Sequence, residues 1–204
     1  MKFVIATRNT HKLEEIRAIF NTPSTKLRTG ENLDVCSALD FPEIPDTIED
    51  RDTLQGNAIK KAQELCDATG LMALADDSGL EVDALGGAPG VYSARYAGEP
   101  CDYAANNEKL LRELSGKDNR RARFRTVIAL ARPGEEPLTV EGKCEGIIID
   151  ELRGEHGFGY DPLFVPDGFE QTFAELSSDV KNKISHRANA LAEFSKLWKQ
   201  LRCI

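Results

Sequence analysis

The chain has 204 residues, 41% of them hydrophobic, which is enough for one domain with a real core. Its 26 basic and 34 acidic residues leave a formal net charge of −8, which argues against a general nucleic-acid or membrane surface. That balance still admits a small anionic ligand held by local basic residues, particularly alongside a divalent cation.

Residues 2–6 read as a short buried strand, and Thr7 to Thr10 as a polar break. The spacing of Leu13, Ile16, Ile19 and Phe20 predicts a helix over 11–20. A second strand is predicted over 32–38 and a loop over 40–50, which holds two prolines and five acids. Leu54, Ala58, Ala62, Leu65 and Cys66 share one face of a helix predicted over 52–68, which Gly70 ends. The apolar run Leu71 to Ala75 reads as a buried strand ending at Asp76-Asp77-Ser78-Gly79, with another short strand at 80–85. Gly86-Gly87-Ala88-Pro89-Gly90 is a loop, and a helix around 102–115 carries Tyr103, Asn107, Leu110, Leu111 and Leu114. Alternation of Ala122, Phe124, Thr126, Ile128 and Leu130 predicts a strand that turns at Pro133-Gly134 and pairs with 138–149. A glycine-rich loop at 154–161 precedes a last helix over 185–201, which buries Ala188, Leu191, Phe194, Trp198 and Leu201. With no repeat or linker, this order predicts an α/β fold with a mixed sheet.

Cys36, Cys66, Cys101, Cys144 and Cys203 are scattered, with no CxxC or Cys/His cluster, so a structural zinc site is not expected. Met1 to Ala6 is too short for a signal-peptide core, and no run approaches a membrane span. A soluble, cytoplasmic protein with reduced thiols is expected, with no nucleic acid or membrane as partner.

Four segments could carry chemistry. Thr7-Arg8-Asn9-Thr10-His11-Lys12 lies at a strand-to-helix junction, where free N–H groups and Lys12 attract an anion. The P-loop spacing is absent, and simple N-capping by Asn9 or Thr10 is the plain alternative. Asp76 and Asp77 repel each other and resist desolvation, so they suit a hard cation or proton transfer. The alternative there is an Asp-Ser turn between strands. Phe158, between Gly157 and Gly159, is either a stacking platform for a base or a loop residue folded back on the core. Lys181, Lys183, His186 and Arg187 gather near the start of the last helix, where cations oppose the helix dipole unless an anion compensates. The alternative is a solvated face. His156 reads as a loop residue, Trp198 as core, and Arg121, Arg123 and Arg125 as solvent-facing on the strand opposite its apolar side.

Taken in order, these segments resemble the inosine triphosphate pyrophosphatase family, in particular its bacterial members. The resemblance runs along nearly the whole chain. It rests on Thr7 to Lys12, Ala75 to Leu80, Gly86 to Arg95, Gly157 to Pro162, and Ser185-His186-Arg187. It implies hydrolysis of ITP, dITP or XTP to the monophosphate and diphosphate with Mg²⁺. It also implies an elongated two-lobed fold with a central cleft, and a homodimer. By resemblance, Thr7, Arg8, Asn9, Thr10, His11 and Lys12 match the phosphate-binding loop. Asp77 matches the catalytic carboxylate and a metal ligand, and Glu49 a second acid of the metal region. Ser78, Phe158, Gly159, Tyr160, Asp161, Lys181, His186 and Arg187 match nucleotide contacts. One position departs: Gly56 stands where the family usually has a glutamate before Asn57. That leaves Glu49, Asp76 and Asp77 for the metal.

The residues suggest a mechanism in which Lys12 and Mg²⁺ draw charge off the triphosphate while Asp77 orients or deprotonates a water. That the α-phosphorus is attacked follows from the resemblance alone. Hypoxanthine and xanthine present a 6-oxo acceptor, so donors from His186, Arg187 or backbone N–H groups would favour them over adenine. A pyrophosphatase for modified pyrimidines and a nucleotide sensor without turnover are the alternatives.

Overall fold

The computed structural model describes residues 2–20 and 34–201. Strand β1 (Lys2–Ile5) leads into helix α1 (Thr10–Phe20), which Asn9 starts by accepting the N–H of Lys12 at 3.1 Å. After β2 (Asp34–Ser37), helix α2 (Leu54–Thr69) is capped at its start by Thr53, whose hydroxyl accepts the N–H of Gly56. Gly70 ends it at φ +66°, a left-handed conformation natural to glycine. Strand β3 (Met72–Val82) follows, then α3 (Tyr103–Leu114), capped by Asp102. Strands β4 (Arg121–Ala131), β5 (Leu138–Ile148) and β6 (Phe164–Pro166) precede the short α4 (Ser178–Ile184) and the terminal α5 (His186–Leu201).

The six strands form one sheet in the order β2-β1-β3-β4-β5-β6. β1 runs parallel to β2 and β3, while β6 is antiparallel to β5, so the sheet is mixed as the sequence predicts. The chain divides into two compact units. The first comprises Met1–Asp77, Thr126–Gly142 and Arg187–Ile204; the second comprises Ser78–Arg125 and Lys143–His186. β3, β4 and β5 each contribute residues to both. The first unit's core gathers Phe3, Ile5, Leu13, Ile16, Ile19, Leu74, Ile128, Leu191, Phe194 and Trp198. The second unit's core gathers Leu80, Val82, Leu110, Leu114, Phe124, Tyr160, Phe164 and Phe173.

Three expectations change. The Asp pair does not end a strand: β3 continues through it to Val82, and 83–85 form a single 3-10 turn rather than a strand. The last helix is preceded by a separate helix, α4, with Ser185 between them. Lys181 and Lys183 therefore occupy the last turn of α4, where the dipole favours cations, and the conflict read from the sequence disappears for both. Arg121, Arg123 and Arg125 are not merely solvated, since they pair with Asp167, with Glu145 and Asp83, and with Glu81. Of the expected second strand, residues 32 and 33 lie outside the described residues, as do the Phe20 side chain and Cys203.

Candidate active site

Successive side chains of a strand point to opposite faces of its sheet. This separates Asp76 from Asp77. Asp76, alternating with Leu74 of the first core, meets cations from α1 and α5: Lys12 Nζ at 3.3 Å and Arg187 Nη2 at 3.2 Å from Oδ2. Asp77 instead meets α2. Its Oδ1 accepts from Lys61 Nζ at 2.9 Å, and its Oδ2 accepts from Asn57 Nδ2 at 3.3 Å. The pleat thus gives each carboxylate different direct partners, with a cation against each.

Asp77 is buried, and burial pushes its carboxyl above the usual carboxylate range, against the pull of Lys61 and Lys12. Burial also favours a neutral Lys61, but Asp77, Glu49 and Asp76 outweigh it and hold the ammonium above its ordinary pKa. Lys61 Nζ lies 2.9 Å from Glu49 Oε1 as well as from Asp77, so both carboxylates converge on one point. Neighbouring Lys60 holds the Glu49 segment by donating to Ile48 O and Asp50 Oδ1. Magnesium needs only one or two protein carboxylates, with waters and phosphate oxygens completing its octahedron. Glu49 and Asp77 fit that demand. Among the described residues, no group of three or more His, Cys, Asp or Glu stands ready to cage a metal without substrate.

Gly56 lies in the first turn of α2. A Cβ there would sit 2.9 Å from Arg51 Cβ and 3.1 Å from the capping Thr53 hydroxyl. The bare glycine at 56 therefore goes with close packing of the 51–53 segment on the helix start. Asn57 reinforces that packing, because its Oδ1 accepts the N–H of Arg51.

In the 7–12 segment, the capping role of Asn9 is realised, and Thr7 Oγ1 accepts the N–H of Asn9 at 3.2 Å. Arg8 turns toward the 41–46 loop, donating to Phe41 O and Ile44 O and pairing with Asp46. Thr10 and His11 are exposed, and Lys12 is half-buried against Asp76. Arg187, expected among nucleotide contacts, is 1% exposed and held between Asp76 and Glu15.

In the second unit, Asp161 organises the glycine-rich turn. Its Oδ2 accepts the Phe158 N–H at 2.8 Å and Lys181 Nζ at 2.7 Å. Gly157, at φ +78°, leaves room for this, since a Cβ there would fall 2.1 Å from the same oxygen. Asn107 donates to Gly159 O at 2.9 Å, and Tyr160 donates its hydroxyl to Ser93 O. The Phe158 ring is half-buried and less open than its glycine neighbours suggest, because Lys181 Nζ lies 5.2 Å from its centroid. His186 is buried and stacks on Phe124 with centroids 4.7 Å apart. Ser78 is half-buried on β3.

Sequence reading missed Asn57, Lys61 and Glu15. A signal existed for the first two: Asn57 and Lys61 are four residues apart, within the apolar face of α2. Polar side chains placed on a buried stripe need partners there.

A model of the Ham1 family matches residues 3–197. The chain belongs to the Ham1 family. This Ham1-family chain is 51% identical over 203 residues to the dITP/XTP pyrophosphatase of Desulforamulus reducens, a match covering 98% of this chain and 97% of that one. It is 50% identical over 196 residues to the dITP/XTP pyrophosphatase of Bacillus subtilis, covering 95% of each. Among solved structures, the Staphylococcus aureus Ham1 protein superposes with a TM-score of 0.86 at 38% identity, covering 98% of this chain and 100% of that one. The Ham1 protein of Coxiella burnetii gives the same TM-score at 39% identity. No described helix is long and apolar enough to cross a membrane.

Proposed function

We propose that this Ham1-family chain hydrolyses non-standard purine nucleoside triphosphates, namely ITP, dITP and XTP, to the monophosphate and diphosphate, and so removes them from the cytoplasmic nucleotide pool. The observation that carries this reading is near-full-length identity of about half to relatives named dITP/XTP pyrophosphatase. Asp77, held between Lys61 and Asn57, supplies the carboxylate such a reaction needs.

Asp77 orients the attacking water and accepts its proton, helped by burial that raises its basicity. Glu49 and Asp77 would hold Mg²⁺, which would supply Lewis-acid stabilisation of phosphate charge. Lys12 and the N–H groups at the start of α1 bind triphosphate oxygens, with Thr7, Asn9, Thr10 and His11 as nearby donors. Arg8 fixes the adjoining loop. Phe158 stacks on the base; Ser78, Gly159, Tyr160, Asp161, Lys181, His186 and Arg187 position the nucleotide or the groups that touch it. The protein acts as a homodimer.

Incubation with Mg²⁺ and ITP, XTP, GTP, ATP, dUTP or dTTP tests the reading. Diphosphate from ITP and XTP, with little from GTP or ATP, is the expected result. Orthophosphate as the direct product, or binding without product, would overturn it. Omitting Mg²⁺ and adding a chelator tests the metal, and undiminished turnover would remove it from the mechanism.

A further inference from the structure

Tyr103 is a large aromatic side chain to which none of the motifs gives a role. It opens α3 just after the capping Asp102 and is 37% exposed. Its ring centroid lies 6.1 Å from that of Phe158, with the planes tilted by 43°. That separation is within the range of favourable aromatic pairs. One helical turn on, Asn107 donates to Gly159 O. Residues four apart share a helix face, so one face of α3 meets the glycine-rich turn twice. Asn107 and Asp161 fix the backbone on both sides of Phe158, through Gly159 O and the Phe158 N–H. The ring can still rotate about its own side-chain bonds. Lys181 and Tyr103 are among the neighbours that restrict it.

We propose that Tyr103 is a positioning residue for the purine base. It holds the Phe158 ring in the orientation against which the base stacks, and widens the aromatic surface at its edge. The inference rests on Phe158 being the base platform. Stacking is tolerant of base identity, so Tyr103 acts on affinity for purine nucleotides in general and not on the choice between ITP and GTP.

Steady-state kinetics with ITP and GTP on Tyr103→Ala, Tyr103→Leu, Tyr103→Phe, Phe158→Ala and the Tyr103→Ala/Phe158→Ala double variant test this. Urea midpoints are measured on each variant. Tyr103→Ala and Tyr103→Leu are expected to raise KM for ITP about five-fold, with kcat within about two-fold and the ITP/GTP ratio unchanged. Tyr103→Phe restores KM, and the double variant is no worse than Phe158→Ala alone, because the two rings act as one unit. A normal KM in both Tyr103→Ala and Tyr103→Leu, with a raised KM in Phe158→Ala, would overturn the role of Tyr103 and leave the platform standing. A normal KM in Phe158→Ala would overturn the platform itself, and this inference with it. A loss confined to kcat, or matched by a lowered urea midpoint, would mark a structural role and overturn the proposal.

Discussion

Two adjacent aspartates in an apolar setting are costly only if they share an environment. β3 places them on opposite faces, Asp76 with Lys12 and Arg187, Asp77 with Lys61 and Asn57. Asp77→Asn is expected to abolish turnover of ITP while circular dichroism matches the parent; near-normal activity would remove Asp77 from the chemistry. The acid limb of kcat/KM should lie above the ordinary carboxylate range, because burial raises the Asp77 carboxyl and the reaction needs it ionised. Lys61 and Lys12 hold that carboxyl down, so Lys61→Met should move the limb to still higher pH. A limb that stays put or moves to lower pH would contradict the assignment. The carboxylate pair was legible in the sequence because two carboxylates exceed what a turn needs, whereas the choice of Asp77 over Asp76 rests on the family resemblance. Lys61 was not, because a lysine between apolar helix positions reads as solvated until the carboxylates it neutralises are known to lie against it.

At the level of elements, the division of β3 at the aspartates illustrates how local reading fails. Adjacent Asp residues are poor strand formers, so the sequence argues for a break. Partners 16 and 111 residues away in sequence keep the strand whole, and no local window contains them. Gly79 completes the arrangement: a Cβ there would lie 2.2 Å from the Gly90 carbonyl oxygen, which is main chain and cannot swing aside. Ser93 seals the same contact, donating to Gly90 O and accepting the Leu80 N–H. Gly79→Ala should therefore destabilise the protein by about 1–3 kcal/mol in urea unfolding and lower turnover by displacing the strand that carries Asp77. A variant with the parent's midpoint would show the contact to be soft. Amphipathic elements fared better: at the described positions the apolar faces of α1, α2 and α5 are buried as their spacing implies, save half-buried Leu201, because a helix stripe needs no knowledge of distant residues. Three-residue β6 offered too little pattern to be seen.

At the scale of the molecule, the absence of any linker pointed to a single domain, and β3, β4 and β5 explain why none is visible: the division falls within strands. Each unit nevertheless has its own apolar cluster. In the first, Trp198 meets Phe3 edge-on at 4.9 Å and stacks on Phe194. Trp198→Ala should cost about 3–5 kcal/mol, read from the urea midpoint. The chromophores are segregated in the same way. The single tryptophan belongs to the first unit, and Tyr92, Tyr96, Tyr103 and Tyr160, all four tyrosines, belong to the second. Fluorescence excited at the red edge of absorption follows the first unit alone, while tyrosine ellipticity follows the second. The unaltered protein thus carries a separate optical label on each unit, and the strands they share predict that both signals vanish at one urea concentration.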